Sequence, residues 1–233
     1  MHIKTSLPVE RLWGVIITPK ATFQSLAQSI GTWDLVAPLL ILLALSMASQ
    51  ALVGPIRIEE QRQIVLQRED IPEDQKEIYL ERLDGALARP SRYLIGGGTV
   101  IIWYAMIGGI VMFFGAFILG GQASYRDTLV VVLYANLVAI VEMALKIPLI
   151  LQLGTTKVKT GLVLLLPGSL EGALLYRFFQ RLDFFAMWKI FLVAMGTALI
   201  YTVEEKRART VLFGAWLLVM FLLAWLLDGR GIA

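Results

Sequence analysis

Apolar and polar positions are distributed very unevenly along the chain. Five stretches, 35–53, 94–119, 129–151, 184–203 and 210–227, are apolar for long enough to cross a hydrocarbon core. Pro38 falls in the opening turn of the first, where proline is tolerated. Ahead of that stretch the pattern changes. Val9, Leu12, Trp13 and Ile16 recur at helical spacing, as do Phe23, Leu26, Ala27 and Ile30, with Glu10, Arg11, Lys20, Gln24 and Gln28 mostly on other faces. Thr18-Pro19 separates the two sets: threonine is a favoured N-cap, and proline suits a first helical position because its missing N–H would be unpaired there. The pattern predicts two amphipathic helices within 1–33, lying in the headgroup plane with basic side chains reaching outward.

The long hydrophilic insertion, 55–93, holds nine acids and seven bases, well mixed. Pro72 divides it into two helical stretches, and Glu73 follows in a first turn, where negative charge suits the helix dipole. Tyr79, Leu83, Ala86 and Leu87 share one face of the second stretch. About 15 residues of helix reach only ~22 Å, so a solvated helical pair is expected rather than a domain with its own core. A docking surface for a partner is the alternative. The segment 161–182 is apolar at first, then broken at Pro167-Gly168; beyond the break Leu170, Leu174 and Phe178 recur beside Arg177 and Arg181. It reads as an interfacial or re-entrant helix and not a sixth span. Five spans place the termini on opposite sides of the membrane.

Composition agrees with an all-α integral membrane helical bundle, a single domain over 1–233: the chain is 58% hydrophobic, with a mean hydropathy of +0.72. The net charge of +3 comes from alternating acids and bases, which argues against a nucleic-acid partner. There is no cysteine, hence no disulfide, haem attachment or thiolate site. His2, the single histidine, stands at the terminus, and the spans hold no paired aspartates. Histidine-based metal and triad chemistry is thereby almost excluded, so neither a cofactor nor an enzymatic activity is expected. Nothing in the first 32 residues resembles a cleavable signal, so the first span is expected to serve as an uncleaved anchor.

Two features inside the spans bear on function. Glu142 and Lys146 are four apart in the Glu-before-Lys order that helices favour. An unpaired charge at that depth is costly, so an ion pair facing the protein interior is expected; a proton or ion path is the sharper alternative. Lys189 lies near the start of its span, within reach of the interface. Small residues recur at four-residue spacing: Ala105 with Gly109, Ala116 with Gly120, Ala44 with Ala48, and Ala194 with Ala198. Such spacing lets helix backbones approach in lipid, here within one chain, a homo-oligomer seam being the alternative. Gly96-Gly97-Gly98 lacks the lysine of a phosphate loop and reads as a flexible start to the second span.

The stretch RLWGVIITPKATFQSLAQS resembles the pre-span motif of the Yip-domain family, the Ypt/Rab-interacting membrane proteins and their prokaryotic relatives. The matching core is Pro19, Lys20 and Phe23. Gly120-Gly121 before the third span, Tyr134-Ala135 within it, and Trp188 at the opening of the fourth extend the resemblance over most of the chain. Where the family pattern has a proline soon after Tyr134-Ala135, Asn136 and Leu137 stand here. The resemblance implies a compact prokaryotic-type member: a non-enzymatic membrane protein, working through other membrane proteins such as ABC-type export components.

Orientation is where two arguments part. The amino-terminal side carries seven Lys and Arg (Lys4, Arg11, Lys20, Arg126, Lys206, Arg207 and Arg209). The opposite side carries twelve: seven in 55–93, then Lys157, Lys159, Arg177, Arg181 and Arg230. The simple count puts the amino terminus outside. The resemblance puts it in the cytoplasm of a bacterial inner membrane, and the dense basic cluster EEKRAR (204–209) agrees. The expectation is a cytoplasmic amino terminus and an accessory or scaffolding role, with the lipid bilayer and other membrane proteins as partners. A small ion- or proton-coupled transporter using Glu142 and Lys146 is the alternative.

Overall fold

A computed structural model describes residues 8–88, 90–170 and 173–226. His2, Lys4, Arg89, Glu171, Leu227 and Arg230 lie outside the described residues, as do the side chains of Ala86, Leu87 and Arg92. Among the described residues the chain is helical throughout, without a strand: α1 (Pro8–Ile17), α2 (Pro19–Gln28), α3 (Thr32–Gln67), α4 (Glu73–Ala88), α5 (Ser91–Phe113) continued by a π-helical turn (Phe114–Ile118), α6 (Tyr125–Asn136), α7 (Ala139–Leu153), two 3₁₀ turns (Leu162–Leu165 and Gly168–Leu170), α8 (Leu174–Arg181), α9 (Phe184–Ile200) and α10 (Glu205–Leu226).

Four helical stretches are long and apolar enough to cross a membrane: Thr32–Gln67, Tyr93–Ile118, Tyr125–Leu153 and Glu205–Leu226. Phe184–Ile200 is apolar but shorter, at 17 residues. The chain is an integral membrane protein of all-α class. The helix of the first span outruns the apolar stretch: α3 continues past Val53 through Pro55 to Gln67, and 36 residues of helix measure ~54 Å, well beyond a hydrocarbon core. Pro72 does divide the insertion, since its carbonyl takes the amides of Gln75 and Lys76 in the first turn of α4.

The described chain falls into two compact units. The first gathers residues up to Ile41, Trp103–Ala139 and those from Lys159 onward; the second gathers Leu42–Ile102 and Ile140–Val158. In the first unit the core is built on α9, whose residues Leu192 to Ala198 are all buried. Helices α2, α6 and α10 pack on it. Asp183 starts α9 as an N-cap, accepting from the amides of Phe185 at 2.8 Å and Ala186 at 3.2 Å. Ser124 starts α6 likewise, its hydroxyl accepting from Asp127 N at 3.1 Å. In the second unit Gly96 does not form a flexible segment. It lies inside α5, where an added Cβ would stand 2.3 Å from Gln50 Nε2, so the glycine admits the α3 side chain.

Candidate functional site

The residues with a shared, specific geometry gather in the first unit, around the two helices that precede the first span. Pro19 takes the first position of α2, as its ring favours. Thr18 sits at the N-cap but does not cap with its side chain; its hydroxyl donates back to Gly14 O at 3.4 Å. The joint therefore ties α2 to the end of α1 instead of satisfying the amides of α2.

Phe23, four residues on from Pro19, is fully buried. It packs over Gly196 of α9, where an added Cβ would lie 2.6 Å from Val131 Cγ1 and 2.9 Å from the Phe23 ring. The glycine thus opens the place that the phenylalanine and a valine of α6 fill. Leu26 is buried on the same side, while Lys20, Gln24 and Gln28 face outward. Lys20 Nζ stands 3.8 Å from Glu205 Oε2, with 63% of its side chain exposed. So α2 packs Phe23 and Leu26 on protein, while Ala27 of the expected apolar stripe stays exposed.

The expected exposure of Arg11 is corrected by the structure. Arg11 is only 4% exposed and Asp34 2%. Arg11 Nη1 donates to Asp34 Oδ2 at 2.9 Å and to Ser29 O at 3.0 Å. Asp34 also accepts from Gly31 N at 2.8 Å, and its other oxygen accepts from the Tyr134 hydroxyl at 2.9 Å. One buried carboxylate therefore joins α1, the turn after α2, the start of α3 and α6. A buried ion pair is tolerated only when its remaining hydrogen-bond valences are filled, and here they are. With Arg11 and Val15 turned inward, α1 leaves Val9, Trp13 and Ile17 exposed in one row, an apolar face suited to the headgroup boundary.

A second junction is centred on Tyr201, 1% exposed, at the end of α9. Its ring fills the space over Gly115 in the π-helical turn, and its hydroxyl lies 2.7 Å from that of Thr128 on α6. Gly121 admits its backbone: a Cβ there would stand 2.6 Å from Tyr201 O. Gly120 adopts φ +74, a left-handed turn conformation open to glycine. It therefore serves the turn, with open space around it, while Gly109 also has nothing within reach. Neighbouring Gly108 faces a neighbour instead, since an added Cβ there would stand 3.3 Å from Leu129 Cδ1, and Ala105 contributes its carbonyl to the Tyr125 hydroxyl at 2.8 Å. Ala116 is half-buried, whereas Ala194 and Ala198 lie in the core.

In the second unit Lys146 Nζ lies 2.7 Å from Glu142 Oε1, the two side chains 23% and 19% exposed. The third span is not one helix: α6 ends at Asn136, and α7 begins at Ala139. Asn136 Nδ2 donates to Val132 O at 2.8 Å, a side-chain bond to the preceding turn that competes with helix continuation. The break falls where the family pattern has its proline, although this chain has none there. No group of three or more His, Asp and Glu side chains able to hold a metal occurs among the described residues.

Sequence reasoning missed Asp34, Tyr201 and Gly196. An acid directly ahead of the first apolar stretch is a readable signal for Asp34; the other two carry no local mark. Residues 13–227 match a family model, that of the Yip1 domain. No curated protein and no solved structure matches the chain.

Proposed function

The chain belongs to the Yip1-domain family, and from that premise we propose that it is a non-enzymatic accessory or scaffolding subunit for other membrane proteins. The observation that carries this reading is the docked α2. Phe23 and Gly196 lock the helix on α9, and Arg11, Asp34 and Tyr134 lock α1 beside it. The polar row Lys20, Gln24 and Gln28 is thereby held out on a rigid support. A preorganised polar helix face loses little conformational freedom when a partner covers it. In this reading five helices cross the membrane, α9 being the shortest, the amino terminus faces the cytoplasm of a bacterial inner membrane, and an ABC-type export complex is the kind of assembly served.

The transporter reading rests on Glu142 and Lys146. Their 2.7 Å contact is what an ion pair needs in order to be tolerated within a span, and that need accounts for it without transport. The test replaces both residues, Glu142→Gln with Lys146→Met. The subunit reading expects partner co-purification to persist, and neither protein to carry proton or ion flux in vesicles. Flux in the native protein, abolished in the variant, would overturn it.

A further inference from the structure

An open cavity of about 300 Å³ lies in the first unit, where the end of α2, the end of α9 and the start of α6 meet. Ala27, Gln28, Ser29, Gln122, Asp127 and Ile200 are among its walls, and its surface is chiefly polar. Gln28 also belongs to the outward row of α2 on which the accessory role rests. Among the described residues Asp127 is the charged one in this lining; Arg126, beside it in sequence, is exposed and does not line the cavity. The Ser124 hydroxyl donates to Asp127 Oδ2 at 2.7 Å, which orients the carboxylate without neutralising it.

Two helix ends add to that charge. Helix α2 stops at Gln28 and α9 at Ile200. The last carbonyls of a helix have no partner within it and carry the negative end of its dipole. One positive end, the start of α6, is nearby, and Asp127 stands in its first turn. The end of α2 already shows what it accepts: Ser29 O takes the Arg11 guanidinium at 3.0 Å, and Asp34 at 2.9 Å cancels the charge of Arg11. The cavity has no cation of this chain among the described residues of its lining. A carboxylate and helix-end carbonyls around a polar space repel anions and offer little to apolar groups. They fit a positively charged hydrogen-bond donor.

We propose that the partner of this subunit inserts an arginine or lysine side chain into the cavity, its donors meeting the Asp127 carboxylate and the carbonyls at the end of α2. This contact rests on the subunit reading and gives it a chemistry. It lies beside the row Lys20, Gln24 and Gln28, so a partner that covers the row reaches the cavity as well. A complementary charge at such a place selects the partner more than it raises affinity.

The absence of cysteine allows a test that needs no partner. The full chain carrying Gln122→Cys is purified in detergent, and the rate at which a neutral maleimide labels position 122 is measured. Millimolar N-acetylargininamide is expected to slow labelling several-fold, while its uncharged isostere N-acetylcitrullinamide does not. The protection is lost when Asp127→Asn is added, and neither compound protects Asp74→Cys in the second unit. Equal protection by both compounds, none by either, or protection that survives Asp127→Asn overturns the cation site. Should Asp127→Asn fail to fold, salt decides: protection that falls as potassium chloride is raised supports the site, and unchanged protection overturns it. A second arm places a photo-crosslinking amino acid at Gln24 in native membranes. A protein adduct whose yield falls several-fold with Asp127→Asn, and is unchanged by Arg126→Gln, supports insertion. An adduct indifferent to Asp127→Asn overturns insertion and leaves the subunit reading standing. No protein adduct at all contradicts the subunit reading, and insertion with it.

Discussion

Arg11 and Asp34 stabilise the amino-terminal region only as a pair. Each is nearly inaccessible, so removing one leaves the other's charge buried and unmatched. Arg11→Met is therefore expected to lower stability by about 3–5 kcal/mol, whereas Arg11→Met with Asp34→Asn costs clearly less. A double-mutant cycle by thermal unfolding in detergent measures the difference; equal costs for the single and double variants would sink the pairing. Gly196 poses the opposite problem, of space. Gly196→Ala puts a methyl against Val131 and the Phe23 ring, and about 1–3 kcal/mol of destabilisation is expected. Limited proteolysis within α2 should accelerate in the same variant, because the docking of that helix is what the methyl disturbs. Thr18 teaches the limits of local signals: its type and position suit a cap, yet its hydroxyl turns back to Gly14.

Among the elements, those set by local chemistry are the ones legible in the sequence. Proline placement and apolar period locate the starts of α2 and α4, and continuous apolarity locates the four long apolar helices. What escapes is rotation about a helix axis. Gly108 and Gly109 are equivalent to a spacing rule, but one residue turns a helix by about 100°, and only Gly108 meets a neighbour. Long-range partners escape as well: Asp34 and Tyr134 lie a hundred residues apart, and no periodicity links them. The π-helical turn is legible only once Tyr201 is seen filling the place above Gly115. Tyr201→Phe keeps that ring and loses the bond to Thr128, for an expected cost of about 1 kcal/mol, read as a lowered unfolding midpoint. Gly115→Ala should cost more, since its Cβ would stand 2.6 Å from the ring. An order reversed between these two variants would count against Tyr201 as a packing centre.

For the whole molecule the testable claims are orientation and partnership. The proposed cytoplasmic amino terminus puts Lys20 inside the cell and the α3–α4 connection outside. The absence of cysteine lets single cysteines report this cleanly. Lys76 is a poor reporter, being nearly buried beside Glu73, so Asp74→Cys is the better choice with Lys20→Cys. An impermeant thiol reagent on intact cells is expected to label position 74 and spare position 20; the reverse pattern would invert the topology. The accessory role itself depends on whether the outward row of α2 meets another protein. The most direct measurement is a photo-crosslinking amino acid at Gln24 of the full chain, activated in native membranes, with the products identified by mass spectrometry. A discrete adduct with one membrane protein, absent when the same group replaces buried Leu26, is the predicted result. Adducts with lipid alone, or none at all, would contradict the account.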